Sequence, residues 1–197
     1  MVTQAQKRAR MRAIHRAGAE LTLERGFDEF TMDDLAAVVG VSRRTLFNYV
    51  GDKVSAVLGP NDPGDAECMK TALRDQDPAK PLLTRGIAAM ADGFRSAQLT
   101  GDDLDLVRLI TRAAAHEPKL AHALYERVRG AVEQLTDIAA EIEGWEPHDR
   151  RSRVFGRTLV MIVEEALHAT ADAYASGRTD YTIDAALAEY ETALRQL

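Results

Sequence analysis

The chain contains one cysteine, Cys68, so no disulfide can close within it and a cysteine-rich metal site is excluded. No apolar stretch reaches the roughly 18 to 20 residues that a membrane span needs, and no membrane partner is expected. The segment Met1–Arg12 is basic, but no apolar run follows it, so no signal peptide is read there and a cytoplasmic location is the default expectation. The sequence has no phosphate loop, no GxSxG, no HExxH and no clustered titratable set, which argues against an enzyme and names no catalytic residue, cofactor or metal. His116 and His122 stand six apart and face different directions, a poor metal pair. Strand alternation of useful length, internal repeats and low-complexity tracts are also missing.

What is present suits a folded helical protein. Of 197 residues, 46% are hydrophobic and 28% charged, enough apolar surface for a core and too little charge for disorder. The length fits one medium domain, or a small domain joined to a larger one. The net charge of −6 at first argues against nucleic acid, but it is unevenly spread. Residues 1–57 carry nine Lys and Arg against seven Asp and Glu, a net +2; the remainder carries sixteen against twenty-four, a net −8. An acidic body with a mildly basic head is compatible with DNA binding through the head.

Helical periodicity runs nearly throughout. Ile14, Ala17, Gly18 and Leu21 form one helical face that ends at Gly26, and Phe27 and Phe30 are placed to plug a small core. Thr31 is a good cap for a second helix, with Asp33 and Asp34 in its first turn and Met32, Leu35, Ala36 and Val39 on its face. Gly40 suits a left-handed residue past that helix. Ser42 caps a third helix to about Tyr49, and Asp52 caps a fourth with Val54, Val57 and Leu58 inward. Residues 59–64 are pure turn chemistry, and 77–81 form a second break. A helix with Leu83, Ile87, Met90, Phe94 and Ala97 follows; Gly101 and Asp102 then read as a separator before a short helix around Val107, Ile110 and Ala113. Pro118 opens a long amphipathic helix closed by Gly144. Pro147 opens another to about Ala175, and the last helix carries Ile183, Leu187, Tyr190, Leu194 and Leu197. The expectation is an all-α fold of about nine helices, with a helix-turn-helix DNA-binding domain at 1–57 and an effector-binding and dimerisation bundle at 58–197.

Two short helices joined by Val-Gly-Val-Ser carry the functional signal, because a tight reversal at a glycine is what a helix-turn-helix requires. The second helix of such a motif enters the major groove with its N-terminal residues toward base edges. Arg43 and Arg44 sit in that first turn, where cations oppose the helix dipole at a cost of roughly 0.3 to 1 kcal/mol each. DNA phosphates or guanine edges would compensate; a solvated arginine pair is the plainer alternative.

The stretch from Phe30 to Leu58, FTMDDLAAVVGVSRRTLFNYVGDKVSAVL, and the preceding Glu-Arg-Gly-Phe at 24–27 resemble the DNA-binding signature of the TetR family. Thr31, Leu35, Ala36, Gly40, Val41, Ser42, Thr45, Leu46, Phe47, Tyr49 and Lys53 fall in register. The resemblance covers about the first 58 residues; beyond it, only length and architecture match. It implies that Thr31 bonds a phosphate through its hydroxyl and N–H, although helix capping uses the same terminus. It implies that Ser42, Arg43, Arg44, Thr45 and Asn48 lie in the groove, and that Tyr49 and Lys53 clamp phosphates. Phe47 stands where the family often has Tyr, Val50 replaces the usual Phe, and Gly51-Asp52 replaces a Pro-Ser or Lys-Ser pair.

In the second half, the helix at 147–175 is apolar on two sides. Phe155, Leu159, Ile162, Ala166 and Ala173 form one stripe, and Val160, Val163, Leu167, Ala171 and Tyr174 a second. A helix with two apolar faces needs two partners, its own core and a second subunit. With Leu187 and Leu194 of the last helix, the second stripe is the expected homodimer interface, a four-helix bundle across a two-fold axis; the resemblance implies the same dimer. Met90, Phe94, Arg112, His116, Tyr125 and Trp145 are candidates to line a cavity for a small, mostly apolar effector, with ordinary core or surface roles as the simpler reading. Glu164, Glu165, His168 and Asp172 share an arc with Arg157 that reads as a solvated face. The expected partners are thus a double-stranded, pseudo-palindromic DNA operator, a second copy of the chain and a small molecule. A DNA-binding regulator with no small-molecule effector is the competing reading.

Overall fold

The computed structural model describes residues 3–59 and 66–196. Among them lie ten α-helices and no strand: α1 Gln4–Arg25, α2 Met32–Val39, α3 Arg43–Phe47, α4 Lys53–Leu58, α5 Ala66–Arg74, α6 Leu82–Ala97, α7 Gly101–His116, α8 Pro118–Glu143, α9 Arg150–Ala175 and α10 Ile183–Leu194, with a 3-10 turn at Phe27–Glu29. The all-α fold expected from periodicity is therefore observed. They fall into two compact units, Met1–Asp62 with Asp105–Glu126, and Pro63–Leu104 with Arg127–Leu197.

In the first unit, α1 starts on a capping box between Thr3 and Gln6 and stops at Gly26. Ile14, Ala17, Gly18 and Leu21 are all buried, as their spacing predicts. Gly18 allows α1 to approach α4 closely: a Cβ there would lie 3.0 Å from the Ala56 carbonyl oxygen. His15 donates from Nδ1 to that carbonyl at 2.9 Å, tying the same two helices. Phe27 and Phe30 meet edge to face at 6.2 Å beneath α2 and α3, and Leu35, Ala36, Leu46 and Val50 close the centre. The core does not stop at the head. Leu109, Ile110, Ala113 and Ala114 of α7 and Leu120 and Leu124 of α8 pack into the same cluster. Lys119 adds an ion pair to Asp28 at 2.6 Å.

The second unit packs α5, α6, α9, α10 and the later part of α8 around Leu73, Ile87, Ile138, Phe155, Leu159, Ile162 and Leu187. Arg85, buried on α6, bonds the Glu143 carboxylate of α8 at 2.7 Å and the Leu73 carbonyl at the end of α5 at 3.2 Å, so one side chain fastens three helices.

Some local boundaries differ from expectation. The described residues hold ten helices where periodicity predicts about nine; the addition is α5, which is nine residues long, lies between two turn-rich stretches, and buries only Leu73. Gly101 and Asp102 begin α7 instead of separating it from α6, because Thr100 donates its N–H (2.9 Å) and hydroxyl (2.7 Å) to the Asp103 carboxylate and starts the helix there. Pro147 lies in the turn before α9, whose cap is Asp149. The third helix ends at Phe47. Residues 60–64 of the expected turn, and Leu197 of the last stripe, lie outside the described residues.

Candidate DNA-binding site

The site is built on α2, a tight turn and α3. Thr31 caps α2 by accepting from the Asp34 N–H, while its own N–H (2.7 Å) and hydroxyl (2.6 Å) both donate to the Asp34 carboxylate. These bonds, the hydroxyl's first, hold the Asp34 carboxyl below its usual range. A carboxylate thus already occupies the anion-binding end of α2, and a phosphate reaching Thr31 would have to compete with it. At the far end, Gly40 is left-handed (φ 72°, ψ 39°), and Val41 donates to Ala36 at 2.9 Å; without a Cβ the glycine takes this conformation at no steric cost.

Ser42 then caps α3: it accepts from the Thr45 N–H at 3.1 Å and shares a hydroxyl–hydroxyl bond with Thr45 at 2.8 Å. Leu46 and Val50 anchor α3 in the core, leaving Ser42, Arg43, Arg44, Phe47 and Asn48 exposed. The two arginines differ. Arg43 pairs with Asp33 of α2 at 2.7 Å and lies over the Phe47 ring at 5.5 Å. Its unfavourable place in the helix dipole is therefore compensated inside the protein. Arg44 makes no ion pair or hydrogen bond through its side chain among the described residues.

Tyr49 is half-buried against the core. Lys53 turns inward: its ammonium donates to the Phe30 carbonyl and lies 4.0 Å from the Phe30 ring centre and 4.8 Å from that of Phe27. Burial pushes this ammonium's pKa down, with Asp28 opposing the shift. The two features that sequence reasoning missed here are the Arg43–Asp33 pair and the exposed Phe47 ring. A ten-residue separation carries no helical periodicity, so nothing local signalled the pair.

The other candidate residues separate into two groups. Arg112, His116 and Tyr125 belong to the first unit; His116 Nδ1 donates to the Arg112 carbonyl at 2.8 Å, and Tyr125 is 62% exposed. Met90, Phe94 and Trp145 belong to the second, where Met90 and Phe94 pack on the core and Trp145 carries the Arg151 guanidinium 4.3 Å above its ring. Of these three, Phe94 lines a cleft of about 290 Å³ whose lining does not include Met90 or Trp145. Along the expected dimer stripe, Val160, Val163, Leu167, Tyr174 and Leu194 are half-buried, whereas Ala171 and Leu187, at 0% and 1% exposure, are spent on the unit's own core. No described helix is long and apolar enough to cross a membrane.

Residues 14–55 match the family model for bacterial regulatory proteins of the tetR family. No curated protein matches the chain. The matched segment runs from the second half of α1 into α4 and contains the capped α2, the left-handed Gly40 and the exposed α3. On this helix-turn-helix and this match, residues 14–55 form a DNA-binding domain of the TetR type, the head of a transcriptional regulator.

Proposed function

We propose that this regulator is a cytoplasmic repressor: it binds a pseudo-palindromic operator as a homodimer through α3 and is released by a small molecule. The observation that carries the operator reading is Arg44, exposed and without a side-chain partner among the described residues in the first turn of α3, whose neighbouring arginine is already neutralised. Ser42, Thr45 and Asn48 would share the groove, with Tyr49 and Thr31 toward the backbone. The half-buried stripe of Val160, Val163 and Leu167 on α9 supports a second copy as its cover. A dimer holds its two reading helices at one separation, and only a spacing that matches successive major grooves binds well. A ligand that prefers another spacing lowers operator affinity by its own differential affinity, roughly 5- to 150-fold for 1 to 3 kcal/mol of coupling.

The test is selection of duplex sites from random DNA by the purified chain, with light scattering on the same preparation. A two-fold-related consensus with half-sites one helical turn apart or somewhat more, bound by a dimer, is the expected result. Enrichment of no consensus, or a monomer at micromolar concentration, defeats the proposal. The effector-free alternative draws support from the filled core of the second unit around Leu159, Ile162 and Leu187.

A further inference from the structure

Building on the effector-controlled reading, we infer that the cleft at the open ends of α6 and α9 is the effector site and that it selects an uncharged molecule with an apolar or aromatic body and one hydrogen-bonding head. The cleft, about 290 Å³, is just large enough for a small single- or double-ring compound. Its floor is apolar: Leu104 and Ile183 are buried, and Phe94 forms one wall.

Its charges are already matched. Arg95, in the last turn of α6, bonds Asp184 of α10 at 2.6 Å and also pairs with Asp92, so a charged ligand would have to break an existing pair. Most of its hydroxyls are likewise committed. Thr100 donates to Asp103, Thr170 to the Ala166 carbonyl at 2.7 Å and Tyr181 to Glu189 at 2.8 Å, while Thr182 caps α10. The polar groups left without a partner among the described residues are the Tyr174 hydroxyl, the Gln98 amide and the Thr179 hydroxyl, all neutral. Such a lining favours a neutral donor or acceptor over an ion, because every group it offers is a dipole and none is a free charge.

The position of Tyr174 gives the cleft a route outward. A Cβ on Gly101 would fall 1.9 Å from the Tyr174 hydroxyl oxygen, so the end of this ring occupies the notch left by the glycine at the start of α7. Further along the same helix, Leu109, Ile110, Ala113 and Ala114 belong to the core under the DNA-binding helices. A ligand that engages or displaces Tyr174 therefore acts on the first residue of a helix whose later turns support the head.

The test uses the full chain with ¹³C-methyl leucine and isoleucine and three matched probes at millimolar concentration: p-cresol, benzoate and benzylammonium. p-Cresol is expected to shift the Ile183, Leu99 and Leu104 methyls saturably and leave Leu73 and Ile138 in place, with both ions at least about tenfold weaker. Tyr174→Phe is expected to weaken p-cresol by roughly five- to tenfold, the loss of one hydrogen bond. Leu99→Trp, at a 38% exposed position on the cleft, fills the space without touching the core and should abolish the shifts. Unmoved cleft methyls, equal binding of the ions, or full affinity in Tyr174→Phe would each overturn the assignment. Operator affinity is measured beside it, with a drop of about fivefold or more expected at saturating p-cresol. Cleft binding with no change in operator affinity would defeat the effector role. A drop in operator affinity with the cleft methyls unmoved would preserve effector control and place its site elsewhere.

Discussion

Two cations that look equivalent on paper, Arg43 and Arg44, sit in different electrostatic surroundings. The first is neutralised by Asp33 and rests on Phe47; the second is exposed and makes no side-chain ion pair among the described residues. Arg44→Ala should cost about 1 to 3 kcal/mol of operator affinity and relax preference at one position per half-site. Repeating site selection with the variant checks this, and an unchanged consensus would remove Arg44 from base reading. Lys53 supplies the contrast. The family resemblance casts it as a phosphate clamp, but its ammonium is held over two phenyl rings and a carbonyl. Lys53→Met retains the packed stem, and the salt dependence of operator binding should be unchanged. A slope lower by about 1 per subunit in a fluorescence-anisotropy salt series would mean that the lysine swings out to DNA.

Helix boundaries were set by capping chemistry more than by periodicity. Thr31, Ser42 and Asp52 were legible as caps because each bonds an N–H three residues on. Pro147 misled because it suits a first helical turn, yet Asp149, two residues later, accepts from the Arg151 N–H and grips the Arg151 guanidinium. That guanidinium, and then the backbone bond, lower the Asp149 carboxyl from 3.8 to about 2. A carboxylate depressed in the folded state stabilises it fully above the unfolded value and ceases to do so as pH falls through the folded one. The start of α9 should therefore loosen between pH 3.8 and about 2. Hydrogen exchange at the Arg151 amide reports it. Asp149→Asn should flatten the pH dependence in that window, and an equally steep profile in the variant would assign the loosening to another group.

At the scale of the whole molecule, the head depends on residues far along the chain. Leu120 is completely buried in the same core as α2 and α3 although about 60 residues separate it from the end of α4 in sequence. Leu120→Ala should destabilise the protein by about 2 to 5 kcal/mol, read by urea denaturation, and weaken operator binding without touching the reading helix. A loss below 1 kcal/mol would mean that α8 is dispensable to the head. The dimer is tested in the other unit. Leu167→Arg places a charge in the half-buried α9 stripe, and sedimentation should show a folded monomer where the proposal expects a wild-type dimer. An unchanged sedimentation coefficient would move the interface away from Leu167.

The sequence by itself determined the helical class, the turn at Gly40, the caps of α2 to α4 and the exposed arginines of α3. Each of these is written in residues three or four positions apart, and helices obey that spacing whatever surrounds them. Only the tertiary structure decided that Asp33 neutralises Arg43, that Lys53 faces inward, that α7 and α8 complete the head, that Leu187 is spent on its own core and that Tyr174 fits against Gly101. Those partners lie from ten to more than a hundred residues apart, and such contacts depend on how whole helices pack, which no local period records.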